Sequence, residues 1–132
     1  MNMIIVDTSV WIDYFNGKDT THCEFLDNVL KFNQIGICDL ILMEVLQGFK
    51  NDKDYLSAKS ALSNLPIFNI INKDNAIIYA DYHRTLRKQG INTIKSNHVM
   101  IAGFCIQQDL PLLFSDSDFL PFCKHLGLKL AL

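Results

Sequence analysis

Short runs of apolar, β-branched residues alternate along this chain with stretches of helical periodicity, and the first run stops on an acid. Met3-Ile4-Ile5-Val6 is closed by Asp7. It is too short for a buried helix and lacks the polar alternation of a half-exposed strand, so it predicts a strand covered on both faces. Ile35-Gly36-Ile37-Cys38, Pro66 to Ile71, Leu112-Leu113-Phe114 and Leu128 to Leu132 repeat the pattern. Between them lie helical segments with start and stop signals. Thr8-Ser9 precedes Val10, Trp11, Tyr14 and Phe15; a second helix covers Thr21 to Phe32; Asp39 opens a third over Leu40 to Phe49. A fourth runs from Asp54 to Asn64, a fifth from Asp74 to Lys88 before Gly90, a sixth from Asn97 to Gln108 behind Ser96, and a short one from Asp118 to His125. Five strands and about seven helices in alternation predict an α/β class with a mainly parallel five-stranded sheet. Neither a repeat nor a Pro/Gly/Ser-rich linker interrupts the 132 residues, which predicts a single domain over 1–132.

Composition narrows the function. Hydrophobic residues make up 49% and charged ones 20%, which excludes a disordered chain. No apolar run reaches the roughly 18 residues of a membrane span, and the start has no basic n-region, so a cytoplasmic protein is expected. Twelve Lys plus Arg against fourteen Asp plus Glu leave a net charge of -2. A basic surface is therefore not its main device, although a bound cation or a local patch can still serve nucleic acid. Cys23, Cys38, Cys105 and Cys123 are widely spaced with no CxxC pair, so buried reduced thiols are expected rather than zinc ligands.

Of the fourteen acids only Glu24 and Glu44 are Glu, and the placement of a few acids is informative. Parallel sheets present their functional groups at the carboxyl ends of the strands. Asp7 ends the first strand, Asp116 follows the fourth after one residue, and Glu44 lies in the helix leaving the second strand, among apolar neighbours. Asp7 can also be read as a helix cap, Asp116 as a turn acid and Glu44 as a solvated edge residue. If the three converge, mutual repulsion of about 4 kcal/mol per pair at 4 Å and an effective dielectric of 20 demands protons or a cation. An oxygen donor set suits Mg²⁺ or Mn²⁺, and these serve phosphodiester hydrolysis. A phosphoacceptor domain also carries acids at strand ends, but Thr8-Ser9 stands where a second acid is wanted.

Four segments in register extend the reading: Val6-Asp7-Thr8-Ser9-Val10-Trp11-Ile12, Leu42 to Phe49 around Glu44, Val99-Met100-Ile101-Ala102, and Leu112 to Phe119. Together they resemble PIN-domain ribonucleases, and among these the VapC toxins of bacterial toxin–antitoxin pairs. The resemblance implies a three-layer PIN-like fold and a Mg²⁺- or Mn²⁺-dependent endoribonuclease acting on tRNA or rRNA. It also implies a homodimer restrained by a VapB-like antitoxin, with aromatic residues of the first helix near the antitoxin groove. Asp7, Glu44 and Asp116 match its acidic metal site, Asp118 a further acid, and Ser9 a supporting residue.

One position departs from the pattern. Where the family opens its sixth helix with Asp, this chain has His98, while the neighbouring Asn97 is expected to point about 100° away around the helix. His98 can ligate a metal, act as a built-in counter-cation, be a silencing substitution, or face solvent. The alternative to an active nuclease is thus a catalytically impaired PIN-like protein that binds RNA or a partner. Arg84, Arg87, Lys88 and Lys95 form a basic stretch that can hold RNA phosphates, or simply complement a helix C-terminus.

Overall fold

The computed structural model describes residues 3–132. Strand β1 (Ile4–Val6) lies between β2 (Ile35–Cys38) and β4 (Leu112–Leu113), and β3 (Ile67–Phe68) pairs with β2 on its far side. All three pairings are parallel, with Ile5 opposite both Gly36 and Leu112. Ile5, Val6, Ile37, Leu112 and Leu113 are completely buried, as an unbroken apolar run requires. Seven helices flank the sheet: α1 (Thr8–Phe15), α2 (Thr21–Leu30), α3 (Asp39–Gln47), α4 (Asp52–Ser63), α5 (Lys73–Lys88), α6 (Ser96–Gln108) and α7 (Leu120–Leu126), the last entered through a 3₁₀ turn, Ser117–Phe119. The α/β expectation holds.

The fifth strand does not. Leu128 to Leu132 contributes only a bridge between Leu130 and Leu112. Backbone groups of a strand alternate between its two neighbours. Pro111, just before β4, and Leu113 within it give their carbonyls to Ile5 and Asp7 of the β1 side, which leaves Leu112 alone to accept from Ala131 and donate to Lys129. A two-residue strand thus offers the tail one rung, and Leu130 remains exposed.

Two helix starts also shift. Asp7, rather than Thr8-Ser9, is the N-cap of α1, and Lys95 holds that position for α6 with Ser96 already helical. Asp39 is the first residue of α3, and its carboxylate accepts from Leu40 N and, at 3.4 Å, from Ile70 N, tying α3 to the segment after β3.

The strand order places a topological switch at β1: the chain steps outward from it through β2 and β3, then returns to its other side as β4. The crevice beyond the carboxyl ends at such a switch is where α/β sheets build sites. Helix α6 is set against α5 by a close approach at Gly103, where an added Cβ would meet the Tyr79 ring at 2.5 Å. Tyr79 cannot step aside easily, because its hydroxyl donates to Ile70 O at 2.7 Å inside the core. Gly103→Ala is therefore expected to lose about 1–3 kcal/mol, read as a lower urea midpoint.

Candidate active site

Asp7 occupies the switch directly. Its N–H donates to Leu113 O at 2.9 Å, its carbonyl accepts the first helical bonds of α1, and its carboxylate accepts from Ser9 Oγ at 2.6 Å and Ser9 N at 3.3 Å. The residue is 3% exposed. Burial pushes its carboxyl up from the ordinary 3.8, against the opposing pull of the Ser9 bonds and the nearby His98 ring. Capping and site-building are thus one placement, since the carboxylate that satisfies the start of α1 also faces the crevice.

Glu44 comes from the second turn of α3. Thr8 Oγ1 donates to its Oε1 at 2.7 Å and Asn97 Nδ2 to its Oε2 at 2.9 Å. One carboxylate is thereby held by two helices other than its own. Neither partner was expected from the sequence. The sequence expectation that Asn97 faces away from His98's side fails: both residues line the same cleft. In the first turn of a helix, successive side chains fan around its end. The available signal was the polar Ser96-Asn97-His98 run at a helix start.

Asp116 caps the 3₁₀ turn by accepting from Asp118 N at 2.9 Å. The turn brings both acids to His98: Nε2 lies 3.5 Å from Asp116 Oδ2 and Nδ1 lies 3.3 Å from Asp118 Oδ2. The His98 ring packs on Phe119 with centroids 4.8 Å apart, so its orientation is set by the turn that carries the acids. Nδ1 is buried and has no hydrogen-bond partner among the described residues, because Asp118 is near enough for an ion pair but wrongly directed for a hydrogen bond.

Asp7, Ser9, Glu44, Asn97, His98 and Asp116 line one cleft of about 190 Å³, together with Thr8 and Ile12. Asp118 is not among the lining residues. The candidate ligands are not evenly gathered: His98, Asp116 and Asp118 place donor atoms within 4.8 Å of one another, whereas Asp7 and Glu44 share the cleft without joining that group. A divalent cation fits this donor set. Two carboxylates, those of Asp116 and Asp118, face a single imidazole with an unpartnered buried nitrogen, those of Asp7 and Glu44 share the cleft, and the oxygens of Asp116 and Asp118 are partly open to solvent. Arg84, Arg87, Lys88 and Lys95 are exposed on or after α5 and none lines the cleft; the Arg87 guanidinium lies 3.3 Å from His83 Nδ1. The cysteines are free thiols outside the donor group, and burial pushes Cys38 up to about 12.

The sequence matches the PIN domain family over residues 4–124. The chain belongs to the PIN-domain family. It is 28% identical over 122 residues to VapC ribonuclease Mb1587 of Mycobacterium bovis and to ribonuclease VapC11 of Mycobacterium tuberculosis, with 89% of each chain covered. The same PIN fold recurs in VapBC2 from Rickettsia felis bound to a DNA fragment from its promoter, with TM-score 0.75, 21% identity and 97% and 96% of the two chains covered. It recurs also in DNA-bound VapBC from Salmonella typhimurium, with TM-score 0.72, 19% identity and 98% and 97% covered.

Proposed function

We propose that this chain is a VapC-type toxin: one PIN domain over 1–132 that hydrolyses RNA phosphodiester bonds with a divalent cation, Mg²⁺ or Mn²⁺, and is neutralised by a VapB-like antitoxin. The observation that carries the reading is the arrival of Asp7, Glu44 and Asp116 at one cleft from the ends of separate strands and helices. The likeness to two VapC ribonucleases across nearly the whole chain supports it.

In this reading Asp7, Glu44, Asp116 and Asp118, with His98, hold the ion. Bound there, the ion supplies Lewis acidity toward a water nucleophile and the phosphoryl oxygens. Ser9 fixes the Asp7 carboxylate, while Thr8 and Asn97 fix Glu44 in one rotamer, so the charges need not reorganise when substrate arrives. Arg84, Arg87, Lys88 and Lys95 steer the RNA backbone from outside the cleft. Tyr14, Phe15 and Phe49 stand ring against ring at 5.8 and 5.6 Å beside a cleft of about 540 Å³, which suits an antitoxin segment with apolar anchors. Exposed Met43 and Ile71 suit a homodimer, and four free thiols suit the cytoplasm. Among the described residues no helix is long and apolar enough to cross a membrane.

One observation favours a second reading. His98 sets its two nitrogens against Asp116 and Asp118, so an imidazolium there would serve as an internal cation, leaving a protein that binds RNA or a partner without cutting. Incubating purified chain with tRNA and rRNA plus MnCl₂ or MgCl₂ decides between them. Cleavage that stops on chelation and in Asp116→Asn is the expected result; intact RNA under both salts supports the second reading. Asn97→Ala, which frees one Glu44 oxygen, is expected to slow cleavage about 10- to 100-fold. Its unfolding free energy should change by only about 1 kcal/mol, measured in urea.

A further inference from the structure

His98 is a nitrogen donor placed among oxygens, and its surroundings bear on which ion the cleft accepts. The ring is 91% buried, clamped on Phe119, and carries the unpartnered Nδ1. An imidazole that is merely packed in a core satisfies its nitrogens, or the burial is costly. Here the nearest polar atoms are carboxylate oxygens of Asp116 and Asp118 at 3.5 and 3.3 Å. One ion can take only one of the two ring nitrogens; two donors on one ion with bonds of about 2.1 Å stand about 3.0–3.4 Å apart, and the 3.3 Å between Nδ1 and Asp118 falls in that range. Donor atoms of all three residues already lie within 4.8 Å of one another.

Mg²⁺ favours oxygen ligands and gives up its waters reluctantly, whereas imidazole adds affinity for first-row transition ions, least for Mn²⁺ and more for Fe²⁺ to Zn²⁺. We propose that His98, with Asp116 and Asp118, forms a nitrogen-bearing subsite that selects Mn²⁺ and related transition ions over Mg²⁺. The inference rests on the cleft being a divalent-ion centre and adds its ion preference.

The test is calorimetric titration of the full chain with MnCl₂ and, separately, MgCl₂, for the native protein, His98→Asp and His98→Gln. The native chain is expected to bind Mn²⁺ at least about tenfold tighter than Mg²⁺. His98→Asp should narrow that ratio by gaining Mg²⁺ affinity, and His98→Gln should lose Mn²⁺ affinity about tenfold or more. A second measurement needs no folded variant to succeed: substoichiometric Mn²⁺ should broaden the His98 ring resonances in proton NMR ahead of those of His22, His83 and His125. Equal ratios in the native chain and His98→Asp, or a His98 ring untouched by Mn²⁺, would overturn the proposal. Metal binding as expected with intact RNA would sustain it and end the nuclease reading. RNA cleavage supported equally by Mg²⁺ and Mn²⁺, with an unchanged rate in His98→Gln, would do the reverse.

Discussion

Asp7→Asn is expected to stabilise the chelator-treated protein while abolishing its RNA cleavage. Asn keeps the cap, since its side-chain oxygen can still accept from Ser9, and it removes a charge from a site only 3% exposed. Because burial raises the Asp7 carboxyl in the folded state, that group favours folding below the unfolded value of 3.8, and the advantage is lost as pH rises through the raised folded value. Above that raised value the wild type therefore carries an ionised, desolvated acid that the variant lacks. A gain of about 1 kcal/mol, seen as a thermal midpoint about 3–6 °C higher, is of the size such replacements give. The gain should shrink toward zero when the melt is repeated near pH 3.5, where the wild-type acid binds its proton. Cleavage in MnCl₂ should fall about a thousandfold or more, as when a preorganised charge is removed from an active centre. A variant that lost activity and stability together would show Asp7 to be a structural acid.

Phe119→Ala should produce the largest loss of stability. The ring is fully buried in the turn between the last two acids and α7, 4.8 Å from the His98 ring, 5.2 Å from Phe114 and 6.4 Å from Phe122. Truncation removes its transfer energy and leaves a cavity, a cost of about 3–5 kcal/mol in chemical denaturation. The same change releases the ring that holds His98 and loosens the turn in which Asp116 accepts from Asp118 N. Phe119→Leu, which refills most of the volume, should cost about 1.5 kcal/mol or less and keep the fold. In that milder variant Mn²⁺ binding should weaken more than global stability does, because the orientation of His98 depends on the ring's shape. Unchanged Mn²⁺ affinity in Phe119→Leu would separate the packing of the turn from the ion centre.

The residues differ in how much of their placement could be read without coordinates. Ile4-Ile5-Val6 ending in Asp7 specifies a buried strand and an acid at its end by local pattern alone, and Asp116 follows from the same rule, whereas Glu44 is legible as an acid among apolar neighbours in the helix that leaves β2. Hydrophobic periodicity is a property of short windows, so it survives in the sequence. The tail beyond Leu128 has the same apolar look, yet pairing depends on what a neighbour offers, and β4 offers only Leu112. The role of Asn97 is not legible locally for a related reason: its bond to Glu44 joins positions 53 apart, and no window contains both.

From its order of residues alone this polymer was bound to alternate strands with helices and to deliver carboxylates to strand ends, because both outcomes follow from burial period and chain direction. Only the three-dimensional packing decided that Thr8 and Asn97 hold Glu44, that Asp118 meets His98 without lining the cleft, and that His98 is buried against two acids with one nitrogen left unpartnered. Those facts depend on the angles at which α1, α3, α6 and the last turn meet, which are set by side-chain packing across the core.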